Sequence, residues 1–521
     1  MNRRRKLPIG GVQTFSELRR EYDVYVDKTT HVYEIASRYK TVFLARPRRF
    51  GKSLMCSTIA SLFRGEKDLF DGLAIANTDW EWKPHPVIHL ALGAGDFTDN
   101  GVNVLISTLN TQLDRVCDDY GISVERSDNI ADRFDRIITG LSKKSGPAVV
   151  IVDEYDNPLL NTIDHPELNA KLREKLKGVY SVIKQNGQYL RFAFITGVTK
   201  FAQVSMFSGM NQPKDISMRP EFCDVCGVTQ DELEKYFAPE IDGYSPKYGG
   251  RENYLDRLKE YYNGYFFTRK KLSVYNIYGI LNHFDEDAEF TPFWSMSGMP
   301  SIVPKYLEMN GADFLEIENA ERSANRFADY KDNTITLIPL LYQTGYLTIS
   351  DYDEQTDSYK LNYPNIEVRQ TFAQFLSEHY SREQYALADS AAIQFVNALR
   401  SGNAEEFMEL LKWYLSTVDY SLSSRINEFY VEFAVSNIIN MLGLVCANEV
   451  HTANGRMDSV IFANGYIYII EFKVDKPVES AIRQIKKKDY ALKYANSGKT
   501  IIKIGAVFSR KERNIIKWKL A

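Results

Sequence analysis

The chain has 521 residues, of which 44% are hydrophobic and 25% are charged, and its formal net charge is -4. This length exceeds what one hydrophobic core usually supports, so we expect two or three domains. The apolar runs are too short to cross a membrane, and the basic N-terminus lacks the apolar stretch of a secretory signal. The slightly acidic charge argues against general attraction of nucleic acid to the surface, so such a partner would need a local basic patch.

The five cysteines are too few and too scattered for a disulfide framework, which fits a reducing cytoplasm. Cys223 and Cys226 form a C-x-x-C pair, but no second pair of cysteines or histidines follows at zinc-ligand spacing. We therefore interpret both as small buried residues ahead of a helix.

The chain begins with two predicted helices, at 14–20 and 30–38, and residues 41–59 then read as a buried strand, a short turn and a helix. The turn ends in the triplet Gly51-Lys52-Ser53. In a phosphate-binding loop (P-loop) of this order, backbone N–H groups surround a phosphate, the lysine reaches the outer phosphates and the serine hydroxyl binds Mg²⁺.

The match to a phosphate-binding loop has one departure, because Arg46 stands where the usual pattern has its first glycine. The alternative is an ordinary strand-to-helix turn with a surface lysine. If a nucleotide binds here, Asp27 and Lys28 in the preceding segment are candidates for contacts with its base or ribose. Otherwise they cap the helix that follows them.

Strands and helices continue to alternate, with a strand at 87–92 and helices at 101–120 and 130–143. This alternation predicts a parallel sheet with helices on both faces. Ligands of such sheets bind at the carboxyl ends of the strands.

A second acidic motif follows at residues 148–158, AVVIVDEYDNP, where a buried strand ends in two carboxylates. Asp153 would hold Mg²⁺ directly or through water, and Glu154 would polarise the attacking water. A D-E pair by itself also suits a solvated strand end. Together with the earlier loop, in the correct chain order, it indicates nucleotide binding.

The next predicted strand, at 190–198, ends near Thr196, which is a candidate sensor of the γ-phosphate; an ordinary turn threonine is the alternative. Across roughly residues 6–215, LPIG, YVDKT, RPRRFGKS, VVIVDEYDNP and FITGVTKF together resemble the AAA-ATPase-like family of bacterial proteins. In that family RPRRFGKS is the usual form of the loop, and a C-terminal PD-(D/E)xK nuclease domain is expected. We expect ATP and Mg²⁺ as cofactors, bound by Arg48, Arg49, Gly51, Lys52, Ser53, Asp153 and Thr196.

The middle of the chain is predicted to be mostly helical from a capping-box start at Thr229. Residues 337–350 read as a helix, a turn at Gly345 and a strand, and residues 359–363 can pair with that strand as a hairpin. This pattern suits a lid or a winged-helix adaptor. We expect an ATPase domain at 1–225, the helical region at 226–380 and a nuclease-like domain at 381–521.

The last domain has its own constellation, in which Asp458 is followed after twelve residues by Glu471-Phe472-Lys473. Two-residue alternation places Glu471 and Lys473 on one face of a strand, with Asp458 across from them. This segment resembles the PD-(D/E)xK nucleases, in which the carboxylates hold one or two divalent cations and the lysine orients water or offsets charge on phosphorus. The alternative is a surface hairpin that carries an ion pair.

Further residues join this site through the same resemblance. Glu428, on a predicted helix at 427–442, is the expected additional metal ligand, with Glu432 as the alternative. Gln484 begins an element similar to the family's Q-I-K-x-K-x-Y pattern. The basic residues near it would contact a phosphate backbone or simply form a solvated helix face: Lys476, Arg483, Lys486, Lys487 and Lys488. A final strand at 500–509 and a basic amphipathic tail complete the prediction.

The leading hypothesis is an ATPase coupled to a metal-dependent phosphodiesterase that acts on nucleic acid, DNA in preference to RNA, with Mg²⁺ or Mn²⁺ at the nuclease site. The alternatives are a nucleotide-dependent nucleic-acid-binding switch with an idle nuclease fold and an adaptor that binds ATP structurally. A neighbouring subunit would be needed in a homo-oligomer if it supplied the arginine finger. The candidate arginines are Arg48, Arg49, Arg191 and Arg219.

Overall fold

A computed structural model describes residues 5–200, 213–296, 302–303, 305–306, 320–323, 336–372, 386–417, 431, 435, 438–439, 445–452, 455–463, 465–488, 490–495 and 497–521. The described residues up to Asn365 form one compact unit, called here the N-terminal unit, and those from Ile366 to Ala521 form the C-terminal unit. The three predicted domains, with boundaries at 225/226 and 380/381, stay a prediction. Among the described residues, no helix is long and apolar enough to span a bilayer.

The N-terminal unit is built on a five-stranded, all-parallel sheet. Its strands are β1 (Thr41–Ala45), β2 (Val87–Ala91), β3 (Ala148–Asp153), β4 (Leu190–Gly197) and β5 (Lys214–Asp215), in the spatial order β2-β3-β4-β1-β5. The accompanying helices are α1 (Phe15–Glu21), α2 (Thr29–Arg38), α3 (Lys52–Arg64), α4 (Gly101–Tyr120), α5 (Ile130–Ser145), α6 (Asn157–Asn161) and α7 (Pro166–Gln185). The predicted parallel α/β sheet is confirmed.

The two faces of this sheet are covered by different helices. Alternate strand residues such as Ile88, Val150 and Ile195 pack into one apolar core with α4, α5 and α7. The intervening residues face α3, which packs on β2, β3 and β4. The carboxyl ends of β1 and β3 therefore lie at one edge of the sheet, beside the N-terminus of α3.

The middle part of the chain adds helices and a small sheet to the N-terminal unit. The helices are α8 (Gln230–Tyr236), α9 (Ala238–Tyr244), α10 (Arg251–Tyr262), α11 (Ile277–Asp285), α12 (Phe293–Met296) and α13 (Leu337–Thr344). The strands are β6 (Glu321–Ser323), β7 (Thr348–Asp353) and β8 (Ser358–Asn362), in the order β6-β8-β7.

Three local predictions for this stretch of the chain are confirmed. The Thr229 hydroxyl accepts a bond from the Glu232 N–H while the Glu232 carboxylate accepts one from the Thr229 N–H, which is a complete capping box. The predicted helix, turn and hairpin also form, with Gly345 in the left-handed region at φ 93°. Cys223 and Cys226 are buried and free, as predicted.

The C-terminal unit has a second five-stranded sheet, of mixed direction. Its strands are β9 (Val445–Thr452), β10 (Gly455–Ala463), β11 (Tyr466–Val474), β12 (Thr500–Ser509) and β13 (Asn514–Leu520), and its helices are α14 (Ala386–Ser401), α15 (Ala404–Thr417) and α16 (Val478–Lys488). Only β11 and β12 pair in parallel, joined by α16, and the spatial order is β13-β12-β11-β10-β9.

The end of the chain differs from its prediction as an amphipathic tail. Residues 514–520 form β13, which pairs antiparallel with β12 at the edge of the sheet. Ile515 is buried and Trp518 packs against the core of this unit, so these apolar residues are part of the folded sheet.

Candidate functional site

A cavity of about 420 Å³ lies at the carboxyl end of the parallel sheet in the N-terminal unit. This volume falls in the range of small-molecule sites. Its walls come from the N-terminal segment, the β1–α3 loop, the residues after β2 and β3, and α11. The cavity is lined by five of the seven predicted nucleotide-binding residues and by the predicted catalytic Glu154; the five are Arg48, Arg49, Gly51, Lys52 and Ser53.

The β1–α3 loop reaches its shape through two left-handed residues, Arg49 at φ 69° and Gly51 at φ 91°. Successive N–H groups in such turns can converge on an anion, and the N-terminus of α3 follows at once. Arg46, in the place of the missing glycine, is only 2% exposed and does not line this cavity. Its guanidinium donates to the carbonyls of Ala45, Ser217 and Phe222 and lies over the ring of Phe267.

Lys52 is buried and turned back on its own loop, where its Nζ donates to the Pro47 carbonyl at 2.8 Å. Burial lowers the pKa of Lys52, and the negative charges of Asp153 and Glu154 oppose that shift. The lysine and the two carboxylates are therefore neighbours, as the sequence predicted. A phosphate in the loop would have to replace the Pro47 carbonyl as the partner of Lys52.

Asp153 is 5% exposed, and its Oδ1 is buried without a hydrogen-bond partner in the described part of the chain. A buried carboxylate oxygen without a donor is costly unless a cation neutralises it. The residue therefore fits the metal role predicted for it, with the Ser53 hydroxyl on the cavity wall as a second oxygen ligand.

Glu154 has a left-handed backbone, with φ 54°, and its side chain lies directly on the backbone of Gly93. A Cβ at residue 93 would come within 2.0 Å of Glu154 Oε2. Nearby, Asn157 Nδ2 donates to the Leu92 carbonyl at 3.0 Å and so ties the loop after β3 to the end of β2. Sequence reasoning missed Gly93 and Asn157, although Asn157 stands inside the quoted DEYDNP motif.

Thr196 is not brought to the cavity. It is fully buried, and its hydroxyl donates to the Leu44 carbonyl at 2.7 Å inside the sheet. The loop after it is held by Asp156, whose carboxylate accepts bonds from the N–H groups of Val198 and Thr199 and from the Thr199 hydroxyl. Burial raises the pKa of Asp156, and these three bonds oppose the shift.

The candidate arginines fall into two groups. Arg48 and Arg49 are on the cavity wall. Arg48 Nη2 lies 3.5 Å from Asn157 Oδ1, and the Arg49 guanidinium lies over the Tyr278 ring. Arg191 instead lies over the Phe63 ring, and Arg219 pairs with Glu221, so neither lines the cavity.

Asp27 and Lys28 of the YVDKT segment have different surroundings, and only the Asp27 side chain bonds to the start of the next helix among the described residues. Asp27 accepts bonds from the N–H and the hydroxyl of Thr29 at the start of α2. Lys28 lines the cavity, and its Nζ is paired with Glu232 at 2.6 Å.

The C-terminal unit brings Asp458, Glu471 and Lys473 together on the face of its sheet that α16 covers. Ser459 pairs with Ile470, so Asp458 and Glu471 are the next positions on the two antiparallel strands. Lys473 Nζ lies 2.9 Å from Glu471 Oε1, and Asp458 Oδ2 accepts the Phe472 N–H at 2.8 Å. All three side chains are buried.

Glu471 is the unusual member of this cluster. It is fully buried, and its Oε2 has no hydrogen-bond partner among the described residues. Burial, together with the charge of Asp458, raises the pKa of Glu471 to about 7, although Lys473 and Lys488 act in the opposite direction. Two adjacent carboxylates with one unpaired oxygen are a donor set that a divalent cation would satisfy.

The other predicted members of this site have different outcomes. Gln484 lies half-buried on α16, on the same side of the sheet. Glu428 and Glu432 lie outside the described residues. Lys486 and Lys487 are exposed at the end of α16, whereas Lys488 is half-buried and close enough to Glu471 to influence its charge.

Comparison with known proteins agrees with this geometry. A family model described as a predicted AAA-ATPase matches residues 8–207, and a model of the PD-(D/E)XK nuclease superfamily matches residues 426–518. The chain is 33% identical over 529 aligned positions to the "Uncharacterized protein in vnfD 5'region" of Azotobacter chroococcum mcd 1, with 98% of each chain covered. The chain belongs to the family of predicted AAA-ATPases that carry a PD-(D/E)XK nuclease-superfamily domain. The AAA-ATPase-like model spans the cavity loop and β3, and the nuclease model spans Asp458, Glu471 and Lys473.

Proposed function

We propose that this protein hydrolyses Mg-ATP in its N-terminal unit and cleaves nucleic acid, DNA in preference to RNA, with divalent cations in its C-terminal unit. The observation that carries the proposal is Glu471, a fully buried carboxylate with one unpaired oxygen between Asp458 and Lys473. A carboxylate in such a place favours a bound cation, and a cation between two carboxylates is what phosphodiester hydrolysis uses.

In the N-terminal unit, four polar residues would take part in phosphoryl transfer. Lys52 would leave the Pro47 carbonyl and bind the outer phosphates, while the N–H groups of the loop surround them. Ser53 and Asp153 would hold Mg²⁺, which supplies positive charge to the transferring phosphoryl group. Glu154 would accept a proton from the attacking water at its carboxylate.

In the C-terminal unit, Asp458 and Glu471 would hold the cation against a phosphodiester, and Lys473 would orient water or balance charge on the phosphate. Glu428 and Gln484 are proposed to complete this site. The lysines at the end of α16 would contact the backbone of the nucleic acid, which makes binding sensitive to salt.

The test is cleavage by the full chain on single-stranded DNA, duplex DNA and RNA, with Mg²⁺ or Mn²⁺ and with or without ATP. The variant E471Q should lose cleavage by at least about 100-fold and retain binding of the nucleic acid. Its matched control, E512Q, removes an exposed carboxylate of the same unit and should cleave as the wild type does. No cleavage by the wild type under any of these conditions would contradict the nuclease assignment.

The second candidate is a nucleotide-dependent switch whose nuclease fold binds nucleic acid without cutting it. The ion pair between Lys473 and Glu471 favours this candidate, because the lysine offsets the charge of one carboxylate. In that case the wild type and E471Q should bind DNA equally, ATP should change the affinity of both, and neither should cleave.

A further inference from the structure

A group of side chains of types that bind metals lies beneath α3 and includes Asp153, the proposed Mg²⁺ ligand of the nucleotide site. Cys56 projects from α3 and His89 from β2, on the side of the sheet opposite the apolar core that contains Ile88 and Leu90. Asp153 stands at the end of the adjoining β3. One ligand atom from each of these three residues lies within 4.8 Å of the others.

Hydrogen bonding among the described residues leaves this group unsatisfied. His89 Nε2 and Asp153 Oδ1 are both buried without a partner, and Cys56 is fully buried. Buried polar atoms are normally paired, so unpaired atoms on two residues of one group call for a missing partner. A cation bound among the three residues would supply such a partner.

The donor types decide which cation fits. Mg²⁺ takes oxygen ligands in a near-octahedral arrangement, whereas thiolate and imidazole select zinc-class transition metals. The set of one thiol, one imidazole and one carboxylate therefore fits a zinc-class ion better than Mg²⁺. Cys56 would bind as a thiolate, so its proton would pass to solvent when a metal binds.

We propose that Cys56, His89 and Asp153 form a binding site for one zinc-class transition-metal ion, with water at the fourth position. Ligand atoms around a tetrahedral zinc ion are roughly 3.3–3.8 Å apart, as follows from bonds of about 2.0–2.3 Å. The three ligand atoms lie within 4.8 Å of one another, so they must move by about 1 Å to reach this spacing. Three protein ligands and one exchangeable position describe a site that binds reversibly.

The site has a consequence for the proposed ATPase, and this step rests on the proposed function. Asp153 cannot bind a zinc-class ion and Mg²⁺ at full strength at the same time, because both ions would use the same carboxylate. Zinc-class ions should therefore inhibit ATP hydrolysis by competing for Asp153.

The direct test uses Co²⁺ as a spectroscopic probe on the full chain, purified with a chelator and free of nucleotide. One equivalent of Co²⁺ should produce a thiolate-to-cobalt charge-transfer band in the near ultraviolet and the visible bands of a tetrahedral ion, and Zn²⁺ should bleach both. C56S should lose the charge-transfer band, and H89Q should weaken Co²⁺ binding at least tenfold. The control C117S changes a buried cysteine of α4 on the opposite face and should keep the spectrum.

Two outcomes would overturn the site: no thiolate band at any ratio of Co²⁺ to protein, or a band that survives in C56S. Near-ultraviolet circular dichroism of each variant checks that its fold is retained. A second measurement compares ATP hydrolysis with and without Zn²⁺, and C56S should need at least tenfold more Zn²⁺ for half inhibition. If the wild type hydrolyses no ATP, the proposed function fails, whereas the cobalt spectrum still decides the metal site.

Discussion

Among single residues of the cavity wall, Glu154 and Gly93 are closely matched in space. A non-glycine residue with a left-handed backbone costs free energy and is kept where its surroundings hold it in place. Here the carboxylate of Glu154 rests where any side chain at position 93 would stand. Gly93 is therefore a positioning residue for the proposed base.

We expect G93A to displace the Glu154 carboxylate and to lower the rate of ATP hydrolysis about tenfold or more, with little change in ATP affinity. Removing a general base costs about 10²–10⁴-fold in rate, so a displaced base should lose part of that factor. The steady-state ATPase rate and the dissociation constant of a fluorescent ATP analogue measure the two effects.

The control for G93A is G243A, since a Cβ at Gly243 has no atom within 4 Å. A shorter acid should relieve the clash, so G93A with E154D should hydrolyse ATP faster than G93A alone. If G93A matched the wild-type rate, the positioning role of Gly93 would be wrong.

Glu471 makes cation binding in the C-terminal unit depend on pH. Since its pKa is raised to about 7, a cation must displace a proton from it in acid solution. We expect Mn²⁺ affinity to fall about tenfold for each pH unit below 7 and to level off above it. Calorimetric titrations from pH 5.5 to 8.5 measure this dependence.

The raised pKa of Glu471 also predicts how the stability of the protein without metal depends on pH. Protonated Glu471 favours the folded state, so its contribution is complete below the ordinary pKa of a glutamate and is lost as the pH rises through about 7. E471Q should remove the pH step from both metal binding and stability. A Mn²⁺ affinity in the wild type that is flat from pH 5.5 to 8.5 would contradict the role given to Glu471.

At the level of whole elements, the turn between β1 and α3 is held in place by the buried arginine at its first position. Arg46 donates to carbonyls at the end of its own strand and in the segment after β5. Arg46 stands where the usual loop has a glycine, and its side chain ties the end of β1 to the segment after β5. The bend of the loop comes from Arg49 and Gly51, whose backbones are left-handed.

We expect R46M to destabilise the N-terminal unit by about 3 kcal/mol, because it removes the buried guanidinium that donates to the carbonyls of Ala45, Ser217 and Phe222. Urea unfolding of the full chain measures the loss. R38A is the matched control, as Arg38 forms an exposed ion pair with Glu34 and its loss should change stability by less than about 0.5 kcal/mol. If R46M lowered the free energy of unfolding as little as R38A does, Arg46 would not anchor the loop.

At the scale of the whole molecule, each of the two compact units carries its own lysine and pair of carboxylates. The N-terminal unit places Lys52 near Asp153, and the C-terminal unit places Lys473 near Asp458 and Glu471. The two sites use similar residue types, but one lies beside the β1–α3 loop of a parallel sheet and the other in the middle of a mixed sheet.

We expect ligands to stabilise the two units separately. Mg²⁺ with an ATP analogue at 100 times its dissociation constant adds about 2.7 kcal/mol, which should raise one thermal transition by about 5 °C. Mn²⁺ should raise the other. Differential scanning calorimetry should show the first shift lost in K52A and the second lost in E471Q, and loss of both shifts in one variant would contradict separate sites.

Most elements of this protein and the order of its motifs were predictable from the sequence, whereas the strand at 514–520 was not. Strands, helices, the capping box and the hairpin follow from hydrophobic periodicity and turn residues, which act over a few neighbouring positions. The pairing of Glu471 with Lys473 was predictable for the same reason, because two-residue alternation alone puts them on one face.

Only the tertiary structure decided which side chains reach a site. Thr196 turns into the sheet, Gly93 makes room for Glu154, and Cys56 meets His89, since each of these contacts joins segments that are distant along the chain. Burial of Glu471 likewise depends on α16 covering its face of the sheet. Local patterns carry no information on such packing, because it is set by how separate elements stack and by what water they exclude.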